Sequence, residues 1–305
     1  LLGTSILTGR VVTALFGALT SVVIYRLASL MVSRPLSFLP SALFVVWGLP
    51  FHFQPYHSWF ALFFSLCSIL AACYYIESKS TRILIVVGAL SGLTAFFKVN
   101  YGGITYLSIV AYLLLAGYTT RKGSNAGPIL SLKSIALLSA GALVVLGPLS
   151  LYFYVKGNFW EMVHAVFFHL EIRQTISYII PGPWEAIRDF SLARPYNLMM
   201  YLPVPIFLGA LLLLSSRGDV VREHRLLLLY LYSLFFLYTA YPQLNWVHFV
   251  QVLVPVYLLL ALLIDEAVWR AQMELGDRKR AHMAILVFLA LLSVSMLVVG
   301  AKNRI

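Results

Sequence analysis

The chain has 305 residues, of which 61% are hydrophobic and only 11% are charged. Soluble domains carry roughly 25% charged residues, so this composition excludes an ordinary soluble domain and indicates a membrane protein with several spans. The formal net charge is +11. The basic residues cluster in loops beside apolar segments, where membrane topology accounts for them better than nucleic-acid binding does.

About ten apolar segments follow one another along the chain, and each is predicted to be a helix because backbone polar groups in lipid must be satisfied internally. The segments are 5–32, 36–51, 57–76, 83–97, 101–118, 132–155, 196–215, 225–241, 246–264 and 282–301. The short ones predict tilt or partial insertion. We therefore expect a single all-α, polytopic transmembrane bundle over residues 1–305, without a soluble domain.

The basic residues also predict an orientation. Counting alternate spans places the basic loops together on one side, which the positive-inside rule makes cytoplasmic. Their basic residues are Arg34, Lys79, Arg82, Arg121, Lys122, Lys133, Arg217, Arg222, Arg225, Arg270, Arg278, Lys279 and Arg280. The non-cytoplasmic side then receives the turns 51–56, 98–100 and 241–245 and the long loop 156–195. Because aromatic and polar residues gather in these turns, we expect a cavity that opens on the non-cytoplasmic side.

The long loop 156–195 is the longest interval that is neither a span nor a short turn. Asn158, followed three residues later by Glu161, has the spacing of a helix capping box. The apolar face that follows predicts a helix lying along the membrane surface. The break at 181–183 and a second amphipathic piece at 184–192 come next. The loop is either a solvated connection or a lid over a cavity at the membrane surface.

Lys98 is the main candidate for ligand binding. It lies at the outer end of a short span, and Asn100 and Gly102-Gly103 follow immediately. Glycines let the backbone approach a ligand closely, and a lysine at such a point can hold a phosphate as a point charge. The alternative is an interfacial anchor, because basic side chains at span ends commonly snorkel to the membrane surface.

Other polar residues carry weaker signals. Arg10 lies about two turns into the first span, where it either faces the outer cavity or anchors at the interface. His248 begins a span containing Pro255, and lone histidines more often satisfy a local hydrogen bond than carry chemistry. Metal-ligand spacings and nucleotide-binding glycine loops are missing from the sequence. The sequence therefore predicts no cofactor, while divalent-metal dependence stays open.

Several stretches together resemble the integral-membrane glycosyltransferases of the GT-C type. The stretch 88–102 has glycines at its first, fifth and last positions, with Lys98 and Asn100 between them. The stretch 241–255 has Tyr-Pro at its start, then His248, then proline. The stretches 8–10 and 157–161 resemble other segments of the same family, which includes protein mannosyltransferases and the aminoarabinose transferase of lipid A. The likeness covers most of the chain.

The resemblance implies transfer of a sugar from a polyprenyl-phosphate donor to a glycan, lipid or protein acceptor. It implies a multi-pass protein of the bacterial cytoplasmic membrane, with its active site facing outward and with membrane lipid but no nucleic acid as a partner. Residues that would bind the donor phosphate are Lys98, Arg10 and Arg194. Residues on the cavity wall would be Asn100, Tyr101, His52, His57, Tyr241, Gln243 and His248.

The family places its catalytic carboxylate in the first outer loop, which here would precede Leu1. We therefore expect a first span and a first outer loop upstream, and we expect residues 1–305 alone to be inactive. Glu161 and Asp189 are the fallback carboxylates, although an exposed loop is a poor place for a catalytic base. The alternative function is a membrane transporter or lipid flippase, which predicts polar breaks near the membrane centre and an internal repeat. A non-catalytic scaffold is a third possibility.

Overall fold

A computed structural model describes residues 6–48, 56–123, 132–167, 201–215, 220–239 and 246–275. All regular secondary structure in these ranges is helical, which confirms the prediction of an all-α chain for this part. The helices are α1 Ile6–Ser29, α2 Arg34–Leu43, α3 His57–Ser78, α4 Thr81–Phe97, α5 Val99–Gly123, α6 Leu132–Val155, α7 Phe159–Phe167, α8 Pro203–Ser215, α9 Val220–Tyr238 and α10 Trp246–Leu275. A π-helical turn, Phe44–Gly48, extends α2.

Each predicted span up to residue 264 overlaps a described helix, and the segment 282–301 lies outside the described residues. Within the described ranges, five helical segments are long and apolar enough to cross a membrane: Leu7–Ser29, His57–Ser78, Val99–Gly117, Leu132–Val155 and His248–Arg270. Shorter apolar helical segments are Arg34–Val46, Thr81–Phe97 and Pro203–Ser215. The protein is therefore a helical, multi-span membrane protein, and the total of about ten spans stays a prediction.

The outer surface of the described helices is apolar. On α1, the side chains of Leu7, Val11, Leu15 and Leu19 recur every fourth residue, and each is exposed by 41% or more. Residues four apart lie on one helical face, so they form a continuous apolar stripe. An exposed stripe of this length is compatible with lipid rather than water as the surrounding solvent.

Helices α4 and α6 pack with their backbones in direct contact. A Cβ atom added at Gly88 would meet the carbonyl oxygen of Leu138, and one added at Gly141 would meet the carbonyl oxygen of Ile85. At Gly92, the added atom would lie 2.8 Å from a backbone oxygen of α6. Small residues let membrane helices approach closely, which replaces the hydrophobic drive that is missing in lipid. These glycines of the stretch 88–102 therefore serve helix packing.

Charged side chains gather at one end of the bundle, which we call the Arg225 end. The Arg225 guanidinium lies 2.7 Å from a carboxylate oxygen of Glu77 and donates to the Leu30 carbonyl oxygen at 3.1 Å. The Asp265 carboxylate accepts from the Ser33 backbone N–H, 3.2 Å away. These contacts join the end of α1, the start of α2, the end of α3, the start of α9 and the last part of α10.

Hydroxyl groups are paired in the interior of the bundle. The Ser65 hydroxyl oxygen of α3 lies 2.6 Å from that of Thr105 on α5 and 2.6 Å from the Tyr232 hydroxyl oxygen on α9. All three residues are fully buried. Pairing is required there because an unsatisfied polar group in an apolar interior is costly. These bonds fix α3, α5 and α9 against one another in the interior of the bundle.

Candidate functional site

The candidate site lies at the end of the bundle opposite the Arg225 end, and we call it the Lys98 end. Helix α4 ends at Phe97, Lys98 takes an extended conformation, and α5 begins at the next residue. A Cβ atom added at Gly102 would meet the backbone of Ala95, whereas one added at Gly103 would have nothing within 4 Å. Gly102 therefore permits the sharp turn between α4 and α5, which is a different role from the ligand approach predicted from the sequence.

The Lys98 ammonium is held between two helices. Its Nζ donates to the Ser58 hydroxyl oxygen of α3 at 3.1 Å and lies 3.9 Å from the ring centroid of Tyr101 on α5. Lys98 is half-buried. An ammonium over an aromatic face is attracted by the ring quadrupole, and more strongly where water is excluded. The side chain is thus turned into the bundle rather than out towards lipid headgroups as a simple interfacial anchor would be.

Tyr101 connects Lys98 to a third helix. Its side chain is fully buried, and its hydroxyl donates to the Oε1 atom of Gln251 on α10, with 2.6 Å between the oxygens. Its ring packs edge-on against Phe236 of α9, with the centroids 4.6 Å apart. The hydroxyl of buried Thr239 is a further polar neighbour of the Tyr101 hydroxyl. Contacts from α9, from the residue that follows it and from α10 therefore fix the position of this one ring.

Gln251 is a residue that the sequence analysis missed. It is 0% exposed, and none of the described residues accepts a hydrogen bond from its Nε2 atom. A polar amide inside an apolar span is costly and is normally paired or functional, so its position three residues after His248 was the available signal. Its partner Tyr101 comes from a distant part of the chain, which the sequence does not reveal.

Three residues predicted for the cavity wall lie at the starts of the same helices. His57 is the first residue of α3, is exposed, and immediately precedes Ser58. Asn100 is exposed and accepts a hydrogen bond from the Tyr101 backbone N–H at 3.0 Å. His248 lies in the first turn of α10, about one turn before Gln251, and is half-buried. The structure therefore brings the helix starts that carry these residues to the Lys98 end.

Arg10 occupies an exposed position in the second turn of α1. The last turn of α1 lies at the Arg225 end, so Arg10 belongs to the Lys98 end. Nearby, the Phe16 ring packs edge-on against the Phe60 ring in the first turn of α3, with the centroids 4.7 Å apart. This packing orders α1 beside α3, but it does not bring Arg10 into the Lys98 and Tyr101 contacts.

The fallback carboxylate Glu161 is exposed in the first turn of α7. Helix α7 follows α6, which runs parallel to α4, because Gly88 faces Leu138 and Gly92 faces Ala142. Glu161 therefore lies at the same end as Lys98, but on an exposed helix. The other predicted site residues, His52, Asp189, Arg194, Tyr241 and Gln243, lie outside the described residues.

The arrangement suits the binding of an anion at the end of an apolar bundle. It supplies one ammonium group with a defined position and two exposed polar residues at neighbouring helix starts. Among the described residues, no group of three or more His, Cys, Asp or Glu side chains is placed to hold a metal ion.

Comparison with known proteins leaves the family of this chain open. No model of a known protein family matches the chain, and no curated protein sequence matches it. The resemblance to GT-C type glycosyltransferases stays a prediction from the quoted stretches.

Proposed function

We propose that the protein transfers a sugar from a polyprenyl-phosphate donor to an acceptor on the non-cytoplasmic face of the membrane, with Lys98 holding the donor phosphate. The observation that carries this proposal is the Lys98 ammonium, fixed between the Ser58 hydroxyl and the Tyr101 ring. A positive group fixed beforehand stabilises the charge that develops on the departing phosphate, without reorganising during the reaction.

The position of Lys98 also suits a lipid-linked phosphate. The ammonium lies beside a helix end of the apolar bundle, turned inward, where it would meet the phosphate of a lipid that enters between the helix starts. The apolar outer faces of the helices, such as the stripe on α1, would lie against the polyprenyl chain. A soluble sugar nucleotide would gain nothing from this apolar surface, so the proposal favours a donor anchored in the membrane.

Binding of a polyprenyl phosphate to the purified full chain tests the role of Lys98. A charge-assisted hydrogen bond contributes about 1.5–3 kcal/mol, so Lys98→Ala is expected to weaken binding by about 10- to 100-fold. Lys98→Arg should bind more tightly than Lys98→Ala, because the charge is kept while its geometry changes. The matched control is Lys156→Ala, which removes an exposed lysine after the last residue of α6 at the same end.

The ligand control is the corresponding polyprenol without phosphate, whose affinity should be equal for the wild type and Lys98→Ala. Equal binding of polyprenyl phosphate by the wild type and Lys98→Ala would reduce Lys98 to an interfacial anchor. Transfer of radiolabelled sugar from the donor to endogenous acceptors, in membranes from cells that make the natural protein, then tests the reaction itself. Movement of the intact donor across vesicles that contain residues 1–305 would replace the transferase by a flippase.

The proposal also requires the Lys98 end to face away from the cytoplasm. Asn158 and Lys79 are exposed, at the Lys98 end and the Arg225 end respectively. Asn158→Cys should react with a membrane-impermeant thiol reagent in intact cells, and Lys79→Cys should react only after lysis. The natural Cys67 is half-buried and Cys73 is buried, so the background labelling should be low. The reverse labelling pattern would invert the proposed orientation.

A further inference from the structure

We propose that Gln251 is a positioning residue of the Lys98 site, acting through the Tyr101 ring. This inference rests on the proposed function, because it assigns to Gln251 a share in the binding of the phosphate. The three side chains form one chain of contacts: the Gln251 amide oxygen accepts from the Tyr101 hydroxyl, and the Tyr101 ring lies beneath the Lys98 ammonium.

The first step of the argument is mechanical. Tyr101 lies in the first turn of α5, and Lys98 immediately precedes that helix, so the ring and the ammonium share a short stretch of backbone. The ring alone could still tilt about its own side-chain bonds. The hydrogen bond of 2.6 Å to Gln251 fixes the hydroxyl edge to α10, and the edge-on contact with Phe236 fixes the ring plane against α9. The surface on which Lys98 rests is therefore set by helices far away in sequence.

The second step is electronic. A phenol that donates its proton to a strong acceptor becomes more electron-rich, because hydrogen bonds in a chain polarise one another. A more electron-rich ring attracts an ammonium more strongly. Gln251 is 0% exposed, so water does not screen this effect. Loss of the acceptor should therefore both loosen the ring and weaken its hold on Lys98.

The competing interpretation is that the Tyr101–Gln251 bond only holds α5 against α10. The bundle offers a matched control for that interpretation. Tyr232 makes a buried hydroxyl contact of the same length, 2.6 Å, with Ser65 on another helix. Tyr232→Phe therefore removes a comparable bond between helices and keeps the ring that packs against Phe236.

The experiment compares Tyr101→Phe, Gln251→Met and the double variant with Tyr232→Phe in the full chain. Affinity for polyprenyl phosphate is expected to fall about three- to tenfold in each single variant of the pair. The double variant should fall by no more than the larger single effect, because both changes break one contact. Tyr232→Phe should bind as the wild type does, and thermal unfolding of each variant checks that it is folded.

A second readout reports the position of Lys98 directly. The lysine amines are converted to isotope-labelled dimethylamines, which keep their charge, and their NMR signals are recorded; Lys98→Arg identifies the Lys98 signal. The ring beneath the ammonium should shift this signal upfield. The shift should shrink in Gln251→Met and Tyr101→Phe and stay unchanged in Tyr232→Phe.

The two readouts separate the two proposals. Unchanged affinity and an unchanged Lys98 signal in Gln251→Met, together with weaker binding by Lys98→Ala, would overturn the positioning role and leave the phosphate site in place. Equal binding by Lys98→Ala and the wild type would overturn the phosphate site. In that case the NMR signal alone decides whether Gln251 positions the lysine, and an unchanged signal refutes it.

Discussion

The contact between α4 and α6 makes a quantitative prediction at Gly141. In Gly141→Ala, the new methyl group would meet the carbonyl oxygen of Ile85 and lie 3.0 Å from the backbone nitrogen of Ala89. Both contacted atoms belong to the backbone, so neither can swing aside as a flexible side chain would. The two helices must separate, and all contacts along their interface loosen together.

The size of the effect follows from two opposing terms. Overpacking a close contact costs about 1–3 kcal/mol, and the overlap at Gly141 favours the upper end. Alanine in place of glycine inside a helix contributes about 1 kcal/mol in the opposite direction. The net loss in the free energy of unfolding is therefore expected to be about 2 kcal/mol.

The control is Gly103→Ala, a helical glycine whose added Cβ atom has nothing within 4 Å. It gains the helix-propensity term without the steric term, so the difference between the two variants isolates the steric cost at about 3 kcal/mol. The assay is reversible unfolding in mixed detergent micelles, monitored by circular dichroism. A double variant with Gly88→Ala should lose less than the sum of the single losses, because the helices are already separated. Equal stability of Gly141→Ala and Gly103→Ala would refute the close packing of α4 and α6.

Two further predictions concern the Arg225 end. Lys79 has a φ of 54°, in the left-handed region that glycine adopts at little cost. Lys79→Gly should therefore be about 1 kcal/mol more stable than Lys79→Ala in the same unfolding assay. Equal stabilities of the two variants would show that Lys79 leaves this conformation freely. Arg225→Met should lose about 2–3 kcal/mol because it breaks the bonds to Glu77 and to the Leu30 carbonyl oxygen. Glu77→Gln should lose less than 1 kcal/mol in the free energy of unfolding, because the Glu77 side chain is 65% exposed and an acceptor oxygen remains. A larger loss for Glu77→Gln than for Arg225→Met would contradict this ranking.

The sequence predicted the helices well and their partners poorly. Apolar runs locate helices because each span must satisfy its own backbone, so the boundaries agreed to within a few residues for segments such as 57–76 and 83–97. Lys98 was predicted because Asn100 and two glycines follow it at the end of a short span. Its neighbours Ser58 and Gln251 were missed, because contacts between helices depend on how the bundle is packed.

The glycines show the same limit. The stretch 88–102 has glycines at its first, fifth and last positions, but sequence spacing does not distinguish a glycine that faces a ligand from one that faces a helix. Only the packing shows that Gly88 and Gly92 face α6 and that Gly102 faces α4. Likewise, the basic residues of the loops were read for orientation alone, and the acids that pair with them, such as Asp265 with Arg222, were not predicted.

The separation in sequence between contact partners bears on the order of assembly during synthesis. Lys98 and Ser58 are 40 residues apart, so their contact can form as soon as α3 to α5 have entered the membrane. The Tyr101 partner Gln251 lies 150 residues further on, and the Ser33 partner Asp265 lies 232 residues away. Chains are synthesised from the N-terminus, so α10 enters the membrane after the helices that carry Tyr101 and Ser33. Until then, the Tyr101 hydroxyl lacks Gln251 and the Ser33 backbone N–H lacks Asp265. During that interval, lipid is the expected cover for the surface of the earlier helices that α9 and α10 later bury.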